Sequence, residues 1–316
     1  MNSNKVHHAI KKSNKIHKRV EGKFQALPLS ILFIALGLAL SFSSCIPKPI
    51  DIDIVPPKPR LVVSSQIVPN KTMFVALTRS FSALSQTAHT SSGVNYVDSI
   101  VTKNALVTVS YNGKKDTLYM LVPGIYASTN TLLDNYGEYT LYAKDYTSGL
   151  EATAKTTLLP AVKFDTIIPT VTKTQKDTVV GLTYTFTDIV GVENYYVVSY
   201  FLKKTSSKAS IDINSYFSRG SNQLKDIDLL SDKTFEGPIH TFTRNLPGVG
   251  ATDTLAVVIS NISKGYYDFL STYKRAGDWF NQLTGEPINY PSNVIGGYGY
   301  FNAYFSDYKI FYLKDY

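Results

Sequence analysis

Three carboxylates stand close together late in the sequence. Asp226, Asp228 and Asp232 form its densest acidic group. Two carboxylates at a suitable separation are enough for glycoside hydrolysis, in which one is the acid and the other the base or nucleophile. Carboxylate oxygens also suit Ca²⁺, but the segment lacks the ligand order of a known calcium loop. We interpret the group as a solvated acidic loop before Phe235, and a carboxylate-dependent glycoside hydrolase is a remote alternative.

Histidine and cysteine are scarce beyond residue 45, where His89 and His240 are the only histidines and each lacks a ligand-spaced neighbour. Zinc and iron sites, and Ser-His-Asp or Cys-His catalysis, depend on these residue types. The glycine clusters at 248–250 and 296–299 fit turns and do not complete a phosphate-binding pattern. The sequence therefore predicts no metal, no cofactor and no enzymatic activity, and both histidines are expected to be ordinary surface or turn residues.

Cys45 is the only cysteine in the sequence. It follows a basic region, an apolar stretch at 26–42 and the small residues Ser43 and Ser44, which is the layout of a signal peptide. Pro28 shortens the clean apolar core to 29–42, below the roughly 20 residues that span a bilayer, so a retained anchor helix is the weaker alternative. A single thiol cannot form an internal disulfide. The segment resembles a bacterial lipobox, and we expect 1–44 to be a lipoprotein signal peptide and Cys45 to be acylated.

The composition is that of a folded protein with a sizeable core. Of the 316 residues, 44% are hydrophobic and 18% are charged, and the length predicts about two domains. The formal net charge is +8, but residues 1–44 contain seven of the 32 Lys and Arg and one of the 24 acidic residues. The rest has 25 basic and 23 acidic residues, a net charge of +2. Because nucleic-acid binding needs a basic face, this balance argues against it.

Hydrophobic patterning indicates a mainly all-β chain in two parts. Residues 45–60 contain five prolines and are expected to form a lipidated, extended stalk. Residues 61–162 contain short runs rich in Val, Thr and Tyr between turn residues, which favours an immunoglobulin-like sandwich. Pro160 and Pro169 mark the expected boundary. Residues 163–316 are expected to form a second β-rich domain with a helix near 263–283, capped by Ser263.

Aromatic residues are abundant in the last fifty positions. Tyr and Trp give large, stiff contact surfaces with a polar tip, although aromatics also fill β cores. We weigh core and surface roles evenly, and we place the main contact surface at 279–304 because binding tends to reside on loops held by a rigid scaffold. The candidate binding residues are Trp279, Tyr290, Gly296, Gly297, Tyr298 and Tyr300, with the glycines shaping a turn.

A triplet of Asp, then Ser or Thr, then an aliphatic residue occurs five times, more often than the one or two expected at average usage. This pattern looks like the O-glycosylation acceptor motif of exported Bacteroidota proteins. Many strands also begin in this way, and the two explanations are comparable. The candidate glycosylation sites are Ser99, Thr117, Thr166, Thr178 and Thr254.

Four segments taken in order resemble one family, called domain of unknown function 4249, of Bacteroidota. They are Phe186–Tyr196, Leu230–Gly237, Ile259–Phe269 and Ser292–Phe301. Leu61 to Val63 and Val75 to Ser80 fit the family as well. The resemblance implies outer-membrane lipoproteins that are often encoded beside TonB-dependent transporters, with no established reaction, and it does not decide between the periplasmic and the surface face.

Two functions remain open besides the hydrolase. The first is an accessory binding lipoprotein of the outer membrane that works with a TonB-dependent transporter. The second is a structural or adhesive envelope protein, for which stacked β domains on a proline-rich stalk are sufficient.

Overall fold

The computed structural model describes residues 57–67, 72–81, 100–131, 137–173, 178–207, 224–234, 237–276 and 289–316. Within them, sixteen strands and one helix are assigned, together with two short 3-10 turns at Asp232–Thr234 and Leu313–Asp315. The strands are β1 (Leu61–Ile67), β2 (Thr72–Arg79), β3 (Ala105–Tyr111), β4 (Lys114–Val122), β5 (Ile125–Thr131), β6 (Gly137–Asp145), β7 (Glu151–Leu158), β8 (Phe164–Lys173), β9 (Thr178–Thr187), β10 (Tyr195–Lys203), β11 (Leu224–Ser231), β12 (Ile239–Leu246), β13 (Thr254–Ile262), β14 (Val294–Ile295), β15 (Gly297–Ala303) and β16 (Ser306–Tyr312). The helix is α1 (Lys264–Ala276).

Nine of the strands form one sheet, in the order β14-β7-β6-β3-β4-β5-β2-β1-β15. Pairing is antiparallel except between β1 and β15, which run parallel. The outermost strands, β14 and β15, are separated only by Gly296, yet β14 pairs with β7 and β15 pairs with β1. The sheet therefore curls until its two ends meet.

Alternating side chains of this sheet fill the first core. In β6 every second residue is buried, which is the period of a strand with one covered face. Residues from both ends of the sequence contribute to the core, among them Leu61, Val63, Leu141, Phe301 and Ala303. The core closes only when the C-terminal strands are in place.

The second core lies between two smaller sheets, β11-β10-β13-β16 and β12-β9-β8. Tyr196, Val198 and Tyr200 of β10 pack on Leu182, Tyr184 and Phe186 of β9 and their neighbours. All residues of β10 except the last are buried, because its opposite face is covered as well. A continuous apolar run of this kind is expected for a strand buried on both faces.

Helix α1 covers part of that opposite face. Tyr266 and Leu270, one helical turn apart, are buried against Tyr195, Val197 and Ile262. The Ser263 hydroxyl oxygen lies 3.4 Å from the backbone N of Tyr266, the position of an N-cap contact. The predicted cap is therefore present, and the predicted helix is observed as far as Ala276; its last residues, 277–283, lie outside the described part.

The mainly β fold with one helix is confirmed. The strands at 61–162 belong to one continuous sheet that includes β14 and β15, which lie within the expected second domain at 163–316. Residues 56–316 cluster as one compact unit. Local sequence patterns do not show the pairing of β1 with β15, because these strands are more than 200 positions apart.

Two segments that were expected to be irregular are strands. Pro169 lies inside β8, opposite Leu182, rather than in a linker. β8 is the outermost strand of its sheet, where a missing backbone N–H is tolerated. The acidic segment at 226–228 lies in β11, which pairs with β10.

No helix in the described part of the chain is long and apolar enough to cross a membrane. Residues 1–56, which include the expected signal peptide and Cys45, lie outside the described residues.

Candidate functional site

An aromatic ridge runs from β15 onto helix α1. It consists of Tyr266, Phe269, Tyr290, Tyr298 and Tyr300. The Tyr300 ring centroid lies 5.2 Å from that of Tyr266 and 5.5 Å from that of Phe269, which in turn lies 6.0 Å from the Tyr290 centroid. Tyr298 is two residues before Tyr300 on the same face of β15, and the Arg60 guanidinium carbon lies 5.3 Å from its ring centroid.

The rings at the two ends of the ridge are more exposed than the ring in its middle. Tyr290 is 40% exposed and Tyr298 is 45% exposed, whereas Tyr300 is half-buried. Burial raises the pKa of Tyr300, although a hydrogen bond with Ser263 lowers it in part. The ridge therefore offers two solvated rings, fixed by a third that packs against the helix.

Gly265 sets the distance between the helix and β15. A Cβ atom at this position would lie 2.3 Å from the Tyr300 hydroxyl. A side chain at residue 265 would push the Tyr300 hydroxyl away, so the glycine allows this ring to lie against the start of the helix.

The glycines after Ile295 close the sheet, and this role was not anticipated. A Cβ at Gly296 would lie 2.6 Å from the carbonyl oxygen of Glu151 in β7, and one at Gly297 would lie 2.5 Å from that of Leu61 in β1. The expected turn at 296–299 is thus mostly strand, since β15 begins at Gly297. The close backbone contacts of these glycines position Tyr298 and Tyr300 on β15.

Asn293 holds the same junction with its side-chain amide. Its Nδ2 donates to the carbonyl oxygens of Lys155 in β7 and Phe301 in β15, both at 2.7 Å, and its Oδ1 accepts the Phe301 N–H at 2.9 Å. Ser292 Oγ donates to the carbonyl of Gly299 at 2.7 Å. The sequence does show a Ser-Asn pair just before a glycine-rich strand. It does not show that β7 is the strand to which this pair binds.

Trp279 lies outside the described residues, so its position in the candidate surface stays a prediction.

Asn302 follows Tyr300 on the same face of β15 and is fully buried. Neither atom of its side-chain amide has a hydrogen-bond partner among the described residues. An amide of this kind is a cost to stability behind the ridge.

The three acidic residues do not form an open acidic site. Arg244 of β12 makes an ion pair with Asp226, and its other terminal nitrogen lies 3.5 Å from Asp228. The Tyr200 hydroxyl donates to Asp228 at 2.8 Å. Asp232 accepts the backbone N–H of Asn194 at 2.6 Å. All three are thus structural links in the described chain, rather than members of a solvated loop.

No group of three or more potential ligands among the described residues could hold a metal ion. His240, expected at the surface or in a turn, is a buried residue of β12, and its ring lies 5.9 Å from that of Phe186. It follows the alternation of β12, in which inward positions face the second core. His89 lies outside the described residues.

The threonines of the Asp-containing triplets differ in exposure. Thr166 is exposed, whereas Thr117, Thr178 and Thr254 are half-buried. Thr178 and Thr254 are the first residues of β9 and β13, as the strand-entry explanation expects. Ser99 lies outside the described residues.

Two aspartates of these triplets have structural partners. Asp253 accepts from Lys204 Nζ at 2.9 Å and from the backbone N–H of Gly250 at 2.8 Å. Asp116 accepts from Asn130 Nδ2 at 2.7 Å. These partners explain the aspartates without reference to a modification.

A second ordered feature is the loop between β9 and β10. The buried side chain of Asn194 donates to the carbonyls of Ile189 at 2.7 Å and Val192 at 2.9 Å. Asn261 Nδ2 in turn lies 3.4 Å from Asn194 Oδ1 and donates to the Pro160 carbonyl at 3.2 Å. The loop is therefore held from inside by buried amides.

The family model supplies the decisive comparison. It carries the description "Domain of unknown function (DUF4249)" and matches residues 47–309. The chain belongs to this family. In this DUF4249 protein the four motif segments correspond to the loop held by Asn194, the 3-10 turn at Asp232, the capped start of α1 and the closure of the first sheet. The four segments thus lie at structural junctions of this chain.

Known proteins and solved structures add little to this assignment. No curated protein matches the chain. A Salmonella alpha-2-macroglobulin mutant is similar at 12% identity and a TM-score of 0.23, covering 67% of this chain and 14% of its own. A putative carbohydrate binding protein from Bacteroides uniformis has 12% identity and a TM-score of 0.20, covering 52% of this chain and 82% of its own. The chain spans only a small part of the alpha-2-macroglobulin, and scores this low carry no argument about function.

Proposed function

We propose that the protein is a lipid-anchored binding protein of the outer membrane that binds its partner without transforming it. The anchor is a lipid on Cys45, supported by the basic, apolar and small-residue regions that precede this single cysteine. The proline-rich segment at 45–60 separates the anchor from the folded part.

The aromatic ridge carries the proposal of binding. Tyr290 and Tyr298 expose rings at its two ends, while Tyr300 and Phe269 fix the surface between them. Tyrosine supplies a large contact area with little loss of side-chain entropy, which is why it is common in interface hot spots. The partner we propose is a TonB-dependent outer-membrane transporter.

Copurification from detergent-solubilised outer membrane tests this function. A transporter should accompany the wild-type protein, and the double variant Tyr290→Ala with Tyr298→Ala should lose it. Tyr308→Ala is the matched control, because Tyr308 is also 45% exposed but lies on β16 and is not one of the ridge residues. Equal recovery of transporter with both variants would contradict a role for the ridge.

A structural or adhesive role is the second candidate, and one observation favours it. β16 is the outermost strand of its sheet, and Tyr308, Ile310 and Tyr312 are exposed along it. Apolar edge strands are sites of lateral association. Under this alternative Tyr308→Ala, rather than the ridge variant, should reduce association, and no transporter should copurify.

A further inference from the structure

Exposed apolar side chains are concentrated at one end of the first sheet. β1 and β15 begin at this end, since Leu61 pairs with Gly297. β2 and β4 finish at the same end, since Leu61 also pairs with Arg79 and the strands β2, β5 and β4 are neighbours in the sheet. We call this the stalk-end surface, because the described chain enters the fold here after Pro57. It exposes Phe81, Tyr119, Leu121, Tyr146 and Ile295, with exposed fractions from 49% to 76%.

The end of β4 is unusual for a strand in contact with water. Leu118 is buried in the core, but Met120, the next residue on that face, is 46% exposed. The pairing with β5 becomes irregular after Met120, and Leu121 and Val122 are 65% and 51% exposed. Contiguous exposed apolar residues of this kind mark an interaction surface.

A groove of about 300 Å³ opens at the same end. Its lining includes Leu118, Met120, Tyr126 and Tyr146, with Lys103 among the polar residues. The groove extends the apolar surface inward and places a cationic side chain beside it.

The charges at this end favour an anionic, planar partner. Lys58, Arg60 and Lys103 are exposed. The described acidic side chains here are Asp145, which accepts the Ser148 hydroxyl at 2.6 Å, and Glu151, which is paired with Lys144 at 2.7 Å. Aromatic and apolar side chains combined with cations are the composition of surfaces that rest in the headgroup region of a bilayer.

The point at which the stalk enters the fold favours the same partner. Cys45 precedes Pro57 by only twelve positions, so even a fully extended stalk reaches about 40 Å. The end of the fold where the stalk enters is therefore the end held nearest to the lipid on Cys45.

We propose that the stalk-end surface rests on the membrane, with its apolar side chains in the interfacial region and its cations on lipid phosphates. This inference depends on the acylation of Cys45 proposed above. It assigns the protein a fixed orientation, in which the first sheet stands on the bilayer and the second core points away from it.

Fluorescence quenching in vesicles tests this orientation. Lipidated protein is reconstituted in phosphatidylcholine vesicles containing phosphatidylglycerol and nitroxide-labelled lipid, with a fluorophore on Ile295→Cys. Val190→Cys is the matched control, because the side chains are 76% and 78% exposed, respectively. Val190 lies in the loop rooted at Asn194, whose amide network reaches Pro160 beyond the far end of β7. Quenching at residue 295 should exceed that at residue 190 several-fold.

Adding a charge to the surface provides an internal test. In the Ile295→Cys background, Leu121→Glu should lower quenching to the level of residue 190, whereas Ile239→Glu should leave it unchanged. Leu121 and Ile239 are both 65% exposed, so neither change disturbs a core.

The outcomes separate the two proposals. Protein that fails to float with vesicles would overturn the anchor, and the orientation with it. Protein that floats but is quenched equally at both positions would overturn the orientation alone. A label at residue 295 that is shielded from aqueous quencher but untouched by nitroxide lipid would show that a second copy covers the surface, and would also overturn it.

Discussion

Replacing Gly299 with alanine should break the closure of the first sheet. Gly299 has a φ of +97°, and a Cβ atom there would lie 1.9 Å from the carbonyl oxygen of Val63, its neighbour in β1. Left-handed backbone costs a non-glycine residue about 1–2 kcal/mol. The clash adds to this, because ordinary van der Waals contact begins near 3.4 Å and β15 must move away from β1.

The structure gives the size of the free-energy cost of the clash. β1 and β15 pair over seven positions, and Gly299 is the third of them. Loss of two or three of the surrounding hydrogen bonds costs about 2–3 kcal/mol, at roughly 1 kcal/mol for each. The total for Gly299→Ala is then about 3–5 kcal/mol, a large fraction of the roughly 5–15 kcal/mol that stabilises a typical domain.

Gly113→Ala separates backbone strain from the clash. Gly113 has a φ of +71° in the turn between β3 and β4, and a Cβ atom at this position would have no neighbouring atom within 4 Å. It should lose only the strain, about 1–2 kcal/mol. Equilibrium unfolding in urea, followed by circular dichroism, measures the unfolding free energy of both variants. The dependence of that free energy on urea concentration should be the same for both. Equal losses of unfolding free energy would refute the role assigned to Gly299.

Three further results are expected. Asn302→Leu should raise the unfolding free energy, measured in urea, by about 1–3 kcal/mol, because it removes a buried amide that has no partner in the described part of the chain. A loss of that size would contradict this reasoning. Burial raises the pKa of Asp253, but the Lys204 ammonium and the N–H groups of Gly250 and Thr205 outweigh this and hold the pKa below its usual 3.8. The stabilisation by ionised Asp253 is therefore complete above pH 3.8 and is lost as the pH falls through the lower pKa of the folded state. The urea midpoints of wild type and Asp253→Asn should then converge in acid. A difference between the two midpoints that stays constant with pH would argue against this. If the triplets are glycosylated, the intact mass of the native protein should exceed the mass of polypeptide plus lipid by sugar increments. Thr166→Ala should remove one such increment, because Thr166 is exposed. A mass explained by polypeptide and lipid would leave only the strand-entry explanation.

Local periodicity predicted most strands and the helix. On β15, for example, Phe301 and Ala303 alternate with Tyr300, and the structure places the first two in the first core and Tyr300 against the helix. Ser263 was recognisable as a cap because capping is a property of neighbouring residues.

Features that depend on distant strands were not predictable in this way. Asp226 and Asp228 looked like a loop because charged residues are unfavourable in strands, and only Arg244 on β12 explains their place in β11. The pairing of β15 with β1 likewise links opposite ends of the sequence. The contact of Phe269 with Tyr290, which completes the ridge, could not be read from spacing either.

Attachment through Cys45 underlies both the proposed function and the proposed orientation. Mass spectrometry of the N-terminal peptide from protein extracted from native membranes tests it most directly. We predict a chain that begins at Cys45 and carries acyl groups on that residue. A chain that still contains residues 5–42 with an unmodified cysteine would contradict it.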